Sequence, residues 1–221
     1  MGRIKIDIES WSRRNEFAFF ITMMDPNISI TSDVDVQSCY ASAKRRGESF
    51  FVYYSYAIIR ALNEIESFRL RAVSEPLGSE PEVYLYDVVD MISPIKISEE
   101  GKYIEMRFEY TPSFEEFYRK AIDVIASAPA AAESEEIFFT MNEKHTYACI
   151  SAMPKLYFTG VKHACTNQGG VNMLSLINVG KMVTRDGRSV IPIALSAHHG
   201  LVDGGHISDF FARVQEILDS L

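Results

Sequence analysis

Ser189-Val190-Ile191-Pro192-Ile193-Ala194-Leu195-Ser196-Ala197-His198-His199-Gly200-Leu201-Val202-Asp203-Gly204-Gly205-His206 is the stretch on which the fold turns. Its opening, Ser189 to Ala197, is rich in Val, Ile and Leu and predicts a strand. From Ile207 onward the apolar residues Ile207, Phe210, Phe211, Val214, Ile217, Leu218 and Leu221 follow helical spacing. Between the two lies a strand-to-helix junction carrying two adjacent imidazoles, a carboxylate and a third imidazole at His206. Gly204 and Gly205 are expected to permit a sharp turn there, with Asp203 or Ser208 capping the helix. Such a junction holds a side chain rigidly while leaving it open to a ligand.

Working outward, Ile4, Ile6 and Ile8 alternate with polar residues as in a half-buried strand, and Asn27 to Thr31 predicts another. A helix is expected from Asp33 or Asp35 to Gly47. Phe50 to Ile65 is apolar almost all round, which predicts a helix buried between a sheet and a second surface, another subunit being one choice. After a turn-rich stretch through Pro76, Gly78 and Pro81, the segments Val83 to Met91 and Tyr103 to Tyr110 read as strands. Ser113 and Glu116 form a capping box for a helix that places Phe114, Phe117, Ala121, Val124 and Ile125 on one face. Ala126 to Glu136 is expected to be a loop or frayed connection. Further strands are expected at Tyr147 to Ala152, Leu156 to Val161 and Met173 to Lys181, with a hairpin turn at Asp186-Gly187. This mixture predicts an α/β (α+β) fold: a two-layer sandwich in which helices cover a mixed sheet.

The 221 residues, 47% hydrophobic and 24% charged, suit a soluble globular protein read here as a single domain, 1–221. A net charge of −8 argues against nucleic acid as a partner, since a phosphate backbone needs a basic face, but leaves room for a smaller anion held by a local basic cluster. Cys39, Cys149 and Cys165 show no paired spacing, which fits a reducing cytoplasm better than a disulfide framework or a zinc ribbon. The apolar run Phe17 to Met24 stops at Asp25-Pro26, too short for a leader or a membrane span.

Three readings of the histidine stretch stand side by side. His199 can act as a general base braced by a turn at Asp203, because an imidazole titrates near neutrality. His198, His199, Asp203 and His206 can instead ligate a metal, although neighbouring residues on a strand point to opposite faces. The third reading is a set of polar side chains satisfying backbone groups at a helix start.

Several separated segments then resemble one family, the chloramphenicol acetyltransferases. Asp7-Ile8-Glu9-Ser10-Trp11-Ser12-Arg13-Arg14 is similar to its N-terminal D-[IV]-x-x-W-x-R-[RK] entry segment, and Phe68-Arg69 to its F-R pair. Ile150-Ser151-Ala152-Met153-Pro154 resembles its I-S-A-x-P strand end. Gly180-Lys181 and Ile191-Pro192-Ile193 match its [GA]-K and L-P-L segments, and His198 to His206 matches H-H-x-x-x-D-G-x-H. That last motif alone is shared with dihydrolipoyl acyltransferases and condensation domains; five collinear matches are more specific.

The resemblance implies transfer of an acetyl group from acetyl-CoA to a hydroxyl of chloramphenicol or a related small acceptor, directly within a ternary complex and with no metal. His199 would be the general base, Ser151 would donate to the oxyanion, and Asp203 would pair with Arg13 to brace the loop. Lys181 would meet CoA, with Ser151 and Lys155 beside it and Arg185, Arg188 and Lys162 as further positive charge; His198, on the opposite face, would be a core or interface residue. The family assembles as a homotrimer with active sites between subunits. Departures fall at the periphery: Phe20 replaces an acceptor-contacting tyrosine, Asn178 a threonine and Lys155 a tryptophan, Ser49 and Phe51 replace a lysine and a tyrosine, and Gly205 replaces an aromatic residue. Those losses of hydrogen-bonding and stacking groups leave the acceptor open. A dihydrolipoyl acyltransferase-like catalytic domain, a catalytically silent CoA-binding homologue and a zinc-dependent hydrolase are the alternatives.

Overall fold

The computed structural model describes residues 2–74, 79–133, 146–163 and 175–221. Its organising element is the strand expected from the opening stretch, β10 (Arg188–His198), eleven residues long and buried over nearly its whole length. Strand β10 runs antiparallel to β2 (Asn27–Asp35) on one side and to β8 (Leu176–Gly180) on the other. Beyond β8 the sheet continues through β7 (Tyr147–Met153) and β5 (Asp90–Lys96) to β6 (Tyr103–Phe108), giving the order β2-β10-β8-β7-β5-β6. The β7–β8 and β5–β7 pairs are parallel and the rest antiparallel, so the sheet is mixed as expected. The short β9 (Val183–Arg185) joins β10 through the Asp186-Gly187 hairpin, where both residues have positive φ (50° and 78°). That is the conformation a two-residue hairpin needs and the reason Gly follows Asp there.

Helices α2 (Gln37–Arg46), α3 (Phe50–Glu64), α4 (Phe114–Glu133) and α5 (Gly204–Ser220) supply the other layer. Ile191, Ile193, Leu195 and Ala197 of β10, Ile177 and Val179 of β8, and Ala148 and Ile150 of β7 pack with them into one buried cluster. Alternation then turns Ala194, Ser196 and His198, Asn178, and Cys149 and Ser151 to the other face. On that face Ala194, Ser196, His198 and Asn178 are buried as well, His198 beside Phe17.

Several expectations are corrected. The run Val83 to Met91 is two strands in different sheets: β4 (Glu82–Tyr86) pairs with β1 (Arg3–Lys5) and β3 (Leu70–Val73) in a separate three-stranded sheet, while β5 starts at Asp90. The apolar residues Val88 and Val89 hide this crossover from a pattern reading. Strand β2 extends to Asp35, so α2 starts at Gln37, later than expected. Ala126 to Glu133 is the helical end of α4, since five alanines outweigh the single Pro129; residues beyond 133 in the expected loop lie outside the described set. Leu156 to Val161 is not a strand; its Leu156 carbonyl instead accepts from the Lys181 amide at 2.8 Å. The surface against α3 is supplied by this chain's own α2, α4 and α5, so its burial calls for no other subunit. The Ser113 and Glu116 box is half formed: the Glu116 amide donates to Ser113 Oγ, but the Glu116 carboxylate reaches Lys120. Pro76, Gly78, Cys165 and Met173 lie outside the described residues. Helix α1 (Arg14–Phe20), which hydrophobic periodicity could not reveal because only Phe17 is buried, packs against the small sheet.

Candidate active site

The turn from β10 into α5 is pinned from both ends of the chain. Arg13, on the approach to α1, donates from Nη1 to Asp203 Oδ2 at 2.7 Å, from Nη2 to the His199 carbonyl at 3.1 Å and from Nε to the Gly200 carbonyl at 3.4 Å. The His199 amide donates to the Pro26 carbonyl at 2.8 Å, tying the turn to the start of β2. Asp203 uses its other oxygen to cap α5, accepting from the amides of Gly205 and His206, and His206 Nδ1 returns a bond by accepting from the Asp203 amide at 3.2 Å. Burial alone would raise the Asp203 pKa, but the Arg13 guanidinium, the His206 amide and nearby His206 overcome it and hold the carboxyl at about 2. Ser208, the other expected cap, donates instead to the Gly204 carbonyl inside the helix.

Gly200 is where the turn needs a glycine. A Cβ there would stand 2.9 Å from His198 Cε1 and 3.1 Å from Phe17 Cα. Gly204 and Gly205, expected to make the sharp turn, are the first residues of α5 and neither has positive φ.

The three imidazoles have different surroundings. His198 is 2% exposed, lies beside Phe17 and accepts the Gly200 amide on Nδ1 at 3.0 Å; burial, reinforced by neighbouring His199, depresses its pKa to about 4. His199 is half-buried, and its Nδ1 stands 3.0 Å from the Val202 carbonyl. A carbonyl can only accept, so Nδ1 of the neutral ring carries the proton and Nε2 the lone pair. Nε2 makes no hydrogen bond among the described residues. Phe20 stacks on the ring, centroids 4.0 Å apart and planes inclined by 18°, and so fixes its plane. Among the described residues no group of three His, Cys, Asp or Glu side chains converges as metal ligands would.

The structure therefore brings His199, Asp203, Arg13 and Phe20 together and places the remaining site residues in two other groups. Ser151 and Asn178 are register partners across β7 and β8, and Asn178 also pairs with Ala194 on β10. The buried Asn178 amide lies against His163; burial pushes that imidazole below its usual pKa, and Asn178 partly opposes the shift. Strand spacings put Ser151 roughly 14 Å back along the sheet from His198 and about 10 Å across it. Within one chain Ser151 and His199 thus face different spaces. Lys181 and Lys155 are exposed and meet at a third place, where the Lys181 amide bonds the residue after Lys155. Neither forms an ion pair among the described residues. Arg185, Arg188 and Lys162 pair with Asp33, Asp35 and Asp25 respectively. The Val202 and Pro26 carbonyls, both essential to the His199 geometry, are backbone groups that no residue pattern marks.

The truncated catalytic core of a 2-oxoacid dehydrogenase multienzyme complex from Thermoplasma acidophilum shares this fold at TM-score 0.62 and 15% identity, covering 95% of each chain. The sequence is more specific. A family model for chloramphenicol acetyltransferase matches residues 1–215. A solved chloramphenicol acetyltransferase is 41% identical with TM-score 0.84, covering 97% of this chain and all of that one. Chloramphenicol acetyltransferases of Clostridium butyricum and Staphylococcus aureus are 25% and 24% identical, covering 96% and 97% of this chain and 93% and 95% of theirs. The chain belongs to the chloramphenicol acetyltransferase family, a family of acetyltransferases.

Two outcomes test this geometry. Unfolded chains protonate a histidine near pH 6.5 whereas folded His198 does so only near pH 4, so the unfolded state binds more protons in between and stability falls as pH drops through that window, by about 3 kcal/mol. His198→Asn keeps an acceptor for the Gly200 amide and should flatten this part of the urea-midpoint profile; a profile as steep as the wild type's would contradict the assignment. Arg13→Lys should cost about 1 to 3 kcal/mol, because one ammonium cannot span a carboxylate and two carbonyls. An unchanged melting temperature would show the grip to be dispensable.

Proposed function

We propose that this chain, as one acyltransferase domain, transfers an acetyl group from acetyl-CoA to a hydroxyl of chloramphenicol or a related small acceptor, directly within a ternary complex. The observation that carries the reading is the His199 ring: Nδ1 committed to the Val202 carbonyl, one face covered by Phe20, and Nε2 unengaged. A base so oriented takes a hydroxyl proton at Nε2 as the oxygen attacks an acyl carbon. Acetyl-CoA, when bound, supplies the activated thioester. Arg13 and Asp203 act as positioning residues, fixing the loop without exchanging protons, since a carboxyl held near pKa 2 stays ionised at neutral pH.

Ser151 donates a hydrogen bond to the oxyanion that develops in the transition state. Because it stands far from His199 in one chain, the reading pairs His199 of one subunit with Ser151 and Asn178 of a neighbour in a homotrimer. Lys181 and Lys155, exposed and without carboxylate partners among the described residues, are free to meet the phosphates or pantetheine arm of CoA. Phe20, having no hydroxyl to offer an acceptor, contributes its ring. No described helix is long and apolar enough to cross a membrane; the cytoplasm, where acetyl-CoA is made and used, is the compartment we assign.

Thiol release from acetyl-CoA, followed with chloramphenicol and a panel of small alcohols, tests the reading. His199→Ala should lower kcat about 10²- to 10⁴-fold with CoA binding kept, and Ser151→Ala should lower kcat about 10²-fold without loss of acceptor binding. Tight CoA binding with silence across the whole panel would favour a non-catalytic homologue, and wild-type rates in either variant would remove that residue from the mechanism.

A further inference from the structure

Glu105 presents a carboxylate without a partner among the described residues on the face of the sheet that also bears Ser151. On β6 the residues Ile104, Met106 and Phe108 pack toward the helices, which turns Glu105 to the opposite face. It is half-buried, yet forms neither an ion pair nor a hydrogen bond among the described residues. The nearest cation on its own strand, Arg107, is committed to buried Asp90 through Nε and Nη2 at 3.0 and 2.8 Å. Lys96, on β5, pairs with Glu99. Burial alone raises the Glu105 pKa, and its charge is felt at Cys149, two residues before Ser151. A carboxylate withdrawn from water without a partner is costly, and a cationic or donating group would offset that cost.

The sheet also opens at this point. Pairing between β5 and β7 ends at Ile92–Cys149, while β5–β6 pairing continues to Lys96–Tyr103 and β7–β8 pairing to Met153–Gly180. Pro94, the next β5 residue on this face, has no N–H to extend the β5–β7 ladder, and it is the register partner of Glu105. Ser151 and Glu105 therefore stand on opposite lips of a parting, at least two strand spacings or about 10 Å apart.

Resting on the acetyltransferase reading above, the geometry points to an acceptor that is an amino alcohol, its hydroxyl placed for acetylation near Ser151 and its protonated amine held by Glu105. In the reaction the thioester C–S bond breaks and an ester C–O bond forms. The hydroxyl proton passes to His199 Nε2 and on to the departing CoA thiolate, while the amine stays protonated and unacylated.

A homologous series of α,ω-amino alcohols, each paired with the diol of equal length, tests this with acetyl-CoA against the wild type, Glu105→Gln and Glu105→Ala. In the wild type the best amino alcohol should exceed its diol in kcat/KM by about 10- to 100-fold. Both variants should lose that preference through KM, with kcat, the KM for acetyl-CoA and activity on diols unchanged, and the product should be the ester. Equal preference in wild type and Glu105→Gln, or acetylation on nitrogen, would overturn the proposal. If no alcohol, chloramphenicol included, releases thiol, the acetyltransferase reading fails separately. Calorimetric binding of the amino alcohols to the CoA-loaded protein then decides this one: binding lost in Glu105→Gln supports the amine site, and binding equal to wild type refutes it.

Discussion

Arg13 and Asp203 are 190 residues apart in sequence, and the contact between them is what the rest of the site depends on. One guanidinium closes on the Asp203 carboxylate and on the carbonyls of His199 and Gly200, so the turn after β10 has little freedom left. A planar fork of donors matches this set of acceptors, whereas a single ammonium cannot. The same carboxylate caps α5, so the orientation of the last helix and that of the His199 backbone are set together. The tie also couples the two sheets, because Arg13 leads into α1, which packs on the small sheet, while Asp203 follows the central strand of the large one.

From that anchor the chemistry follows in short steps. The turn is tight enough that Gly200 must lack a side chain, and it brings the Val202 carbonyl back onto His199 Nδ1. One backbone acceptor thereby selects the tautomer, and Phe20 fixes the plane of the ring. His198, one residue earlier, points the other way into packed surroundings and loses its basicity to burial. Two adjacent histidines thus end up with unlike properties because strand alternation gives them unlike environments.

Long, strongly patterned elements were legible in the sequence: β10, α5, α3 and the Asp186-Gly187 hairpin. Their apolar spacing or turn chemistry is dictated locally. Less legible were elements whose fate is decided by distant partners. Val83 to Met91 reads as one strand because both halves are apolar, yet the halves pair in different sheets. Leu156 to Val161 contains strand-favouring residues but lends its backbone to the Lys181 loop. Pro129 suggested a break that the surrounding alanines override. In the site, Asp203 could be read as a cap, whereas its pairing with Arg13 came only through family resemblance. The Val202 carbonyl was beyond reach, since every residue has one. Glu105 left no signal either, because a lone carboxylate on a strand stands out only once it is seen to lack a partner among the described residues.

The account rests on His199 presenting a basic Nε2, with its proton held on the other nitrogen. Nitrogen-15 NMR of imidazole-labelled protein, recorded with the ring neutral and assigned by comparison with His199→Gln, reads the tautomer directly. The geometry predicts a protonated Nδ1 and an unprotonated Nε2 for this ring. A signal showing the proton on Nε2 would contradict the account, because the ring would then have no lone pair to offer an incoming hydroxyl.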